Sequence, residues 1–354
     1  MSTPTKKLTD HKILIFDVYG TLADWESGIF NALQPLLSRY PASKSWSRKD
    51  ALTAFMSVEA DLQTQFPEML YSDLLAKVHE VLEERLKALS NVEDEVNTQP
   101  SGSTLAGDPR SLPTTSDANA STSTSGTTSS SAQSQNHDEH KAFGASIQNW
   151  PIFPDTCSAL HRLSKDFKLV VLSNVDRHSF RHTHALLSEG PSLATVTSNL
   201  SLYTYPEPNP NRYWHPQAAS ANGSKSKSPF TLILTAQDTG CYKPALGGFL
   251  AALEYANTHP ALFGDLQLGE GEAVKDKALS VAQSITHDHV ATHRLGMRSV
   301  WIDRQSAVTC NENPEGSDTP EKWTWRFETL GEMADAVDKE LALVDSDSGL
   351  MKSG

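Results

Sequence analysis

Apolar positions in this chain fall into short solid runs that alternate with longer periodic stretches. The runs are Ile13-Leu14-Ile15-Phe16, Leu169-Val170-Val171-Leu172, Phe230-Thr231-Leu232-Ile233-Leu234-Thr235, Ala278-Leu279-Ser280-Val281-Ala282 and Ser299-Val300-Trp301-Ile302. Their length and Ile/Val/Leu content predict strands buried on both faces of a parallel sheet. Between the first two runs, residues 24–90 repeat at helical spacing. Asp24 is placed to cap a helix carrying Ile29, Phe30, Leu33, Leu36 and Leu37, with a kink or restart expected at Pro35. Ser47 to Asp50 precede a second helix with Leu52, Phe55, Met56 and Leu62. A third follows Pro67, with Leu70, Leu74, Leu75, Val78, Val81, Leu82 and Leu86. Further helices are expected around Leu160 and Leu163, over 245–258, before Gly296, and from Thr329 through Leu341. Trp323 to Phe327 reads as an edge strand, and the last ten residues as a frayed end. Strands alternating with helices give an α/β class with a parallel sheet.

Two stretches break the pattern. Residues 91–142 are rich in Ser, Thr, Gly, Asn and Asp and carry no apolar period, so a disordered loop is expected. Residues 197–228 are also polar, and five prolines fall between Pro206 and Pro229, predicting a second loop. These insertions explain why only 38% of the 354 residues are apolar. The net charge of −13 argues against a nucleic-acid partner, because phosphate contacts need clustered Lys and Arg. Three distant cysteines, Cys157, Cys241 and Cys310, offer neither a zinc spacing nor a disulfide framework. With no apolar signal core in Met1 to Lys7 and no apolar run near 18 residues, a cytoplasmic location and no membrane contact are expected.

Polar residues follow several of the predicted strands. Asp17 ends the first, with Gly20 and Thr21 in the turn behind it; Ser173-Asn174 end the second; Lys243 follows the third within Tyr242-Lys243-Pro244; Asp288 follows the fourth. Singly these read as a capping aspartate, a polar turn and a solvated lysine. Together they gain meaning, because a parallel sheet gathers the carboxyl ends of its strands at one edge, where open α/β folds bind ligands.

Phe16-Asp17-Val18-Tyr19-Gly20-Thr21-Leu22 resembles the first motif of the haloacid dehalogenase (HAD) superfamily. Leu172-Ser173-Asn174, Tyr242-Lys243-Pro244 and the segment Gln283 to Asp303 resemble the second, third and fourth, in the same order. The closest likeness is to the type II 2-haloacid dehalogenase-like branch. It implies a Rossmann-like parallel core from 11–23 and 143–345, interrupted by the polar insertion at about 197–228. It also implies a helical cap over 24–90, with 91–142 as a loop of that cap. By this resemblance Asp17 is a nucleophile that forms an ester with substrate, Lys243 keeps it charged, Asp288 orients the hydrolytic water and Thr21 orients the nucleophile. Tyr19, Ser173, Asn174 and Ser284 then contact substrate, with Asn174 also near the water. The implied partner is a small L-2-haloacid or related small acid; a homodimer is compatible with this.

Four departures shape the expectation. Tyr19 stands where phosphatases of the superfamily carry an acid/base aspartate, and Gln283 stands where magnesium-dependent members carry a carboxylate; both point to chemistry without a cofactor. His287 and His289, which flank Asp288, read as helix-start or surface residues rather than metal ligands. The segment Ala54 to Asp61 lacks the arginine that meets halide and carboxylate in dehalogenases, with Arg48 nearby, and Phe249 replaces a family tyrosine. A Mg²⁺-dependent phosphatase and a non-catalytic regulatory protein are the alternatives.

Overall fold

The computed structural model describes residues 6–97, 129–188, 202–205, 213–216, 226–311 and 322–350. Its strands are β1 (Ile13–Phe16), β2 (Lys168–Ser173), β3 (Phe230–Thr235), β4 (Ala278–Ala282), β5 (Arg298–Ile302) and β6 (Trp325–Phe327). Among the described residues they form one sheet of order β3-β2-β1-β4-β5-β6, parallel at every pairing. All four β1 residues are buried, as are all of β3 and β4. Alternate residues divide between two cores. Leu14, Phe16, Leu169, Val171, Leu279 and Val281 belong to one, while Ile13, Ile15, Val170, Leu172, Leu232 and Leu234 belong to the other. Both faces are covered, which is why the strands read as solid apolar runs rather than as alternating ones.

Among the described residues, α1 (Trp25–Leu37), α2 (Arg48–Gln65), α3 (Tyr71–Asn97) and α4 (Ser129–Gly144) follow β1 before the chain returns to the sheet through a fifth helix. The expected caps form. Asp24 accepts from the Ser27 amide at 3.1 Å, and Ser47 with Asp50 makes a capping box. Pro35 neither ends nor restarts α1; it lies in the last turn of one continuous helix. The remaining helices are α5 (Thr156–Leu163), α6 (Arg177–Ser188), α7 (Ala236–Thr239), α8 (Gly247–Thr258), α9 (Val290–Arg294) and α10 (Leu330–Leu350). The architecture is the α/β class read from the sequence: a parallel core with helices inserted after its first strand, as in HAD-like folds.

Several expectations are corrected. Residues 91–97 continue α3, and 129–144 form α4, so the loop expected over 91–142 is helical at both ends; residues 98–128 lie outside the described residues. α4 forms because tertiary contacts replace the missing apolar period. Phe143 is buried against the Phe55 and His79 rings, and His140 meets His79 at 2.7 Å. α10 likewise extends to Leu350, into the stretch expected to fray. The described parts of 197–228 form no regular element beyond a bridge from Trp214 to Ile233, but Tyr203, Tyr205 and Trp214 pack around the buried His184 ring.

The insertion is fitted tightly to the core at Gly28, where an added Cβ would lie 2.3 Å from the buried Trp150 ring. Alanine is the better helix former by about 1 kcal/mol, yet overpacking costs about 1–3 kcal/mol and the tryptophan is walled in. Gly28→Ala is therefore expected to lower the melting temperature, measured by circular dichroism, rather than raise it.

Candidate active site

The strand order reverses at β1, with β2 on one side and β4 on the other. A crevice opens at such a switch point beyond the carboxyl ends of the strands, and the residues singled out by the sequence meet there. Asp17 leaves β1, Ser173 ends β2, Lys243 comes from the loop after α7, and Asp288 lies in the π-helical turn Ile285–His289 after β4. Gly20 makes the turn behind Asp17 with φ +103°, a conformation that favours glycine, and a Cβ there would meet Gln283 Oε1 at 2.9 Å.

The Lys243 ammonium bridges the two carboxylates, donating to Asp17 Oδ1 at 2.7 Å and to Asp288 Oδ1 at 2.9 Å. Thr21 donates its hydroxyl to Asp17 Oδ2 at 2.7 Å and accepts from the Gln283 amide at 2.8 Å, so both Asp17 carboxylate oxygens are oriented. The three charged residues are 8%, 3% and 1% exposed for Asp17, Lys243 and Asp288. Burial opposes the lysine charge, but Asp17 and Asp288 outweigh it and raise the Lys243 pKa above the ordinary value. Burial also pushes the Asp288 carboxyl upward, against the pull of Lys243.

These groups form the floor of a cavity of about 70 Å³. At about 10–15 Å³ per water-sized centre, that is room for a molecule of roughly five or six heavy atoms. Two buried oxygens in its lining, Ser173 Oγ and Asp288 Oδ2, have no protein partner among the described residues. Tyr19, Ser173, Asn174 and Ser284 all line the cavity, but their polar atoms differ in freedom. Asn174 holds the lysine loop, with Oδ1 accepting from the Lys243 amide at 2.7 Å and Nδ2 donating to the Lys243 carbonyl at 3.1 Å. The Tyr19 hydroxyl is paired with Thr183 at 3.0 Å, and Ser284 caps the turn that carries Asp288, accepting from the His287 amide at 3.1 Å.

His289 is not a surface residue. It is fully buried, bonded to Ser299 Oγ and the Ala282 carbonyl, and burial lowers its pKa to about 4. His287 lines the cavity and is neutral for the same first reason, with Lys243 adding to the effect.

The roof comes from the helical insertion. Met56, Glu59 and Gln63 sit three and then four residues apart along α2, on one face, and Tyr71 begins α3. Tyr71 donates to Glu59 Oε1 at 2.6 Å, and burial pushes the Glu59 carboxyl up to about 7 despite that bond. The i, i+3, i+7 spacing was the available signal for these residues, but facing direction is a tertiary property. Arg48 turns away from the cavity and pairs with Glu26 at 3.4 Å and Asp24 at 3.7 Å. Lys243 is thus the only permanently cationic side chain in the described lining. Cys310 also lines the cavity, with its thiol pushed up to about 12 by burial, which leaves it unreactive.

Arg304 is a further residue that the sequence pattern did not single out. It donates to the Thr21 carbonyl at 2.8 Å, pairs with Asp155 at 2.7 Å and covers the Phe153 ring, fixing the turn that holds the Thr21 hydroxyl. Above the lysine, Tyr242 donates its phenol to the Met69 carbonyl at 2.6 Å, and the Ser72 amide donates to Asp176 at 3.1 Å. These bonds fasten the insertion to the sheet edge.

The donor set does not suit magnesium. Mg²⁺ takes an octahedron of hard oxygens, whereas an ammonium bridges the two carboxylates here and the Gln283 side-chain amide is turned to the Thr309 carbonyl at 3.1 Å. No group of three or more His, Cys, Asp or Glu able to hold a metal occurs among the described residues. No described helix is long and apolar enough to cross a membrane.

No family model and no curated protein matches the chain. Among solved structures, it is similar to a 2-haloacid dehalogenase from Pseudomonas syringae at 17% identity, covering 93% of this chain and 99% of that one, with a TM-score of 0.44. An L-2-haloacid dehalogenase from Xanthobacter autotrophicus with chloropropionic acid covalently bound gives 11%, 93%, 98% and 0.46. A defluorinating L-2-haloacid dehalogenase gives 14%, 94%, 98% and 0.47. Similarity at this level bears on neither substrate nor chemistry.

Proposed function

We propose that this protein is a HAD-like hydrolase that displaces halide from C2 of a small 2-haloacid or related small acid, through an ester on Asp17 and without a metal. The observation that carries the reading is the Asp17–Lys243–Asp288 cluster on the floor of a small cavity. In the first step an Asp17 oxygen attacks the carbon, an O–C bond forms, and the carbon–halogen bond breaks with halide taking its electron pair. In the second step water adds to the Asp17 carboxyl carbon and passes a proton toward Asp288. The ester C–O bond then cleaves, releasing a 2-hydroxy acid and restoring Asp17. Water and organohalide become alcohol, halide and one proton, so the cycle needs no other reactant. Lys243 balances charge on Asp17 in both steps, and the helical insertion serves as a lid that excludes bulk water.

Halide release from L-2-chloropropionate or a close derivative in the presence of EDTA tests the reading. The two carboxylates separate the steps. Asp288→Asn is expected to permit alkylation and slow hydrolysis at least about a hundredfold, so mass spectrometry should find an ester accumulating on Asp17. Rapid turnover by that variant with no accumulated ester would contradict the assignment. A phosphatase with the same fold would instead release phosphate only with added Mg²⁺.

A further inference from the structure

The cavity that would receive the substrate is lined by three carboxyl groups, Asp17, Asp288 and Glu59, against the single ammonium of Lys243. Lys243 is already committed to the two floor carboxylates. Glu59 has no cation partner among the described residues: Tyr71 donates to its Oε1 at 2.6 Å and Gln63 approaches the same atom at 3.5 Å. Met56, Glu59, Gln63 and Tyr71 line the same cavity as Asp17, so a molecule bound against Asp17 shares that space with the Glu59 carboxyl and meets no arginine in the described lining.

We infer that Glu59 selects for a substrate whose non-reacting end donates hydrogen bonds, specifically a carboxamide, and selects against the free carboxylate. The inference rests on the ester-forming role of Asp17 and replaces the free acid of that reading with its amide. A carboxamide matches the lining on both sides. Its N–H groups are donors suited to the Glu59 carboxyl, and its carbonyl is an acceptor suited to Ser173 Oγ, which is buried without a protein partner among the described residues. A carboxylate of the same size brings a further negative charge into a cavity with an excess of acids, with no donor strong enough to offset it.

The probes are 2-chloropropionamide and 2-chloropropionate, compared on the full chain by halide release, with peptide mapping of the covalent adduct done in Asp288→Asn, where the ester persists. The expected result is labelling of Asp17, with kcat/KM at least tenfold higher for the amide. Glu59→Gln, which keeps the shape and can still pair with Tyr71, should shrink that ratio at least tenfold, chiefly through KM. An equal fall for both probes in kcat would mark Glu59 as merely structural and overturn the inference. So would a wild-type preference for the carboxylate, which needs no variant to measure; in that case Asp17 is still labelled and the hydrolase reading stands. If neither probe labels Asp17, or label falls only on cysteines, the hydrolase reading fails and the inference falls with it.

Discussion

Asp17→Asn is expected to abolish turnover, lowering kcat by at least about a thousandfold, or about 4 kcal/mol in barrier, while the protein still folds. The amide retains the shape and an oxygen for the Thr21 hydroxyl, but it lacks the charge needed to displace halide. Lys243 keeps Asp288 as a partner at 2.9 Å, so the loss of stability should be limited to about 1–3 kcal/mol. Halide assays and thermal melts measure the two effects separately. The contrast with Asp288→Asn is the more telling comparison. One variant should form no ester and the other should accumulate it, a difference that a general loss of structure cannot produce.

Lys243→Met should damage both stability and chemistry. The methionine leaves Asp17 and Asp288 facing one cavity with no cation in its described lining. Breaking a buried pair in this way costs about 3–5 kcal/mol. The like charges also raise the carboxyl pKa values. The sign follows from linkage: the folded state then binds protons more tightly than the unfolded chain, whose carboxyls titrate near about 4. The stability of the variant is therefore greatest below that range and declines as the pH rises through the raised folded-state values. Its residual activity moves the opposite way, because both steps need ionised carboxylates. Urea melts and halide assays across a pH series check both directions, and a variant whose stability rose toward neutral pH would contradict the ion-pair account.

The sheet and its polar strand ends were legible because they are local. A run such as Ile13 to Phe16 can only be buried on both faces, and a polar residue after it is placed by the parallel geometry. Asp17, Lys243, Ser173 and Asp288 could thus be named together before any contact was known. The roof was not legible in the same way. Glu59 looks like any polar position on α2, and only the packing of α2 against the sheet edge turns Met56, Glu59 and Gln63 inward. Asn174 shows a second limit: its position was right, but its amide is engaged by the Lys243 backbone, a choice among partners that spacing cannot decide. α4 was misjudged because polar sequences are buried wherever hydrogen bonds or ring contacts satisfy them; His289 does start a helix, and the same rule explains why it is buried there.

The phenol that fastens the insertion belongs to Tyr242, the residue immediately before the lysine. Lifting α2 and α3 off the sheet edge therefore tugs on the same peptide that carries the ammonium. The seat of the insertion on the sheet edge and the seat of Lys243 beside Asp17 and Asp288 are therefore coupled through two adjacent residues, Tyr242 and Lys243.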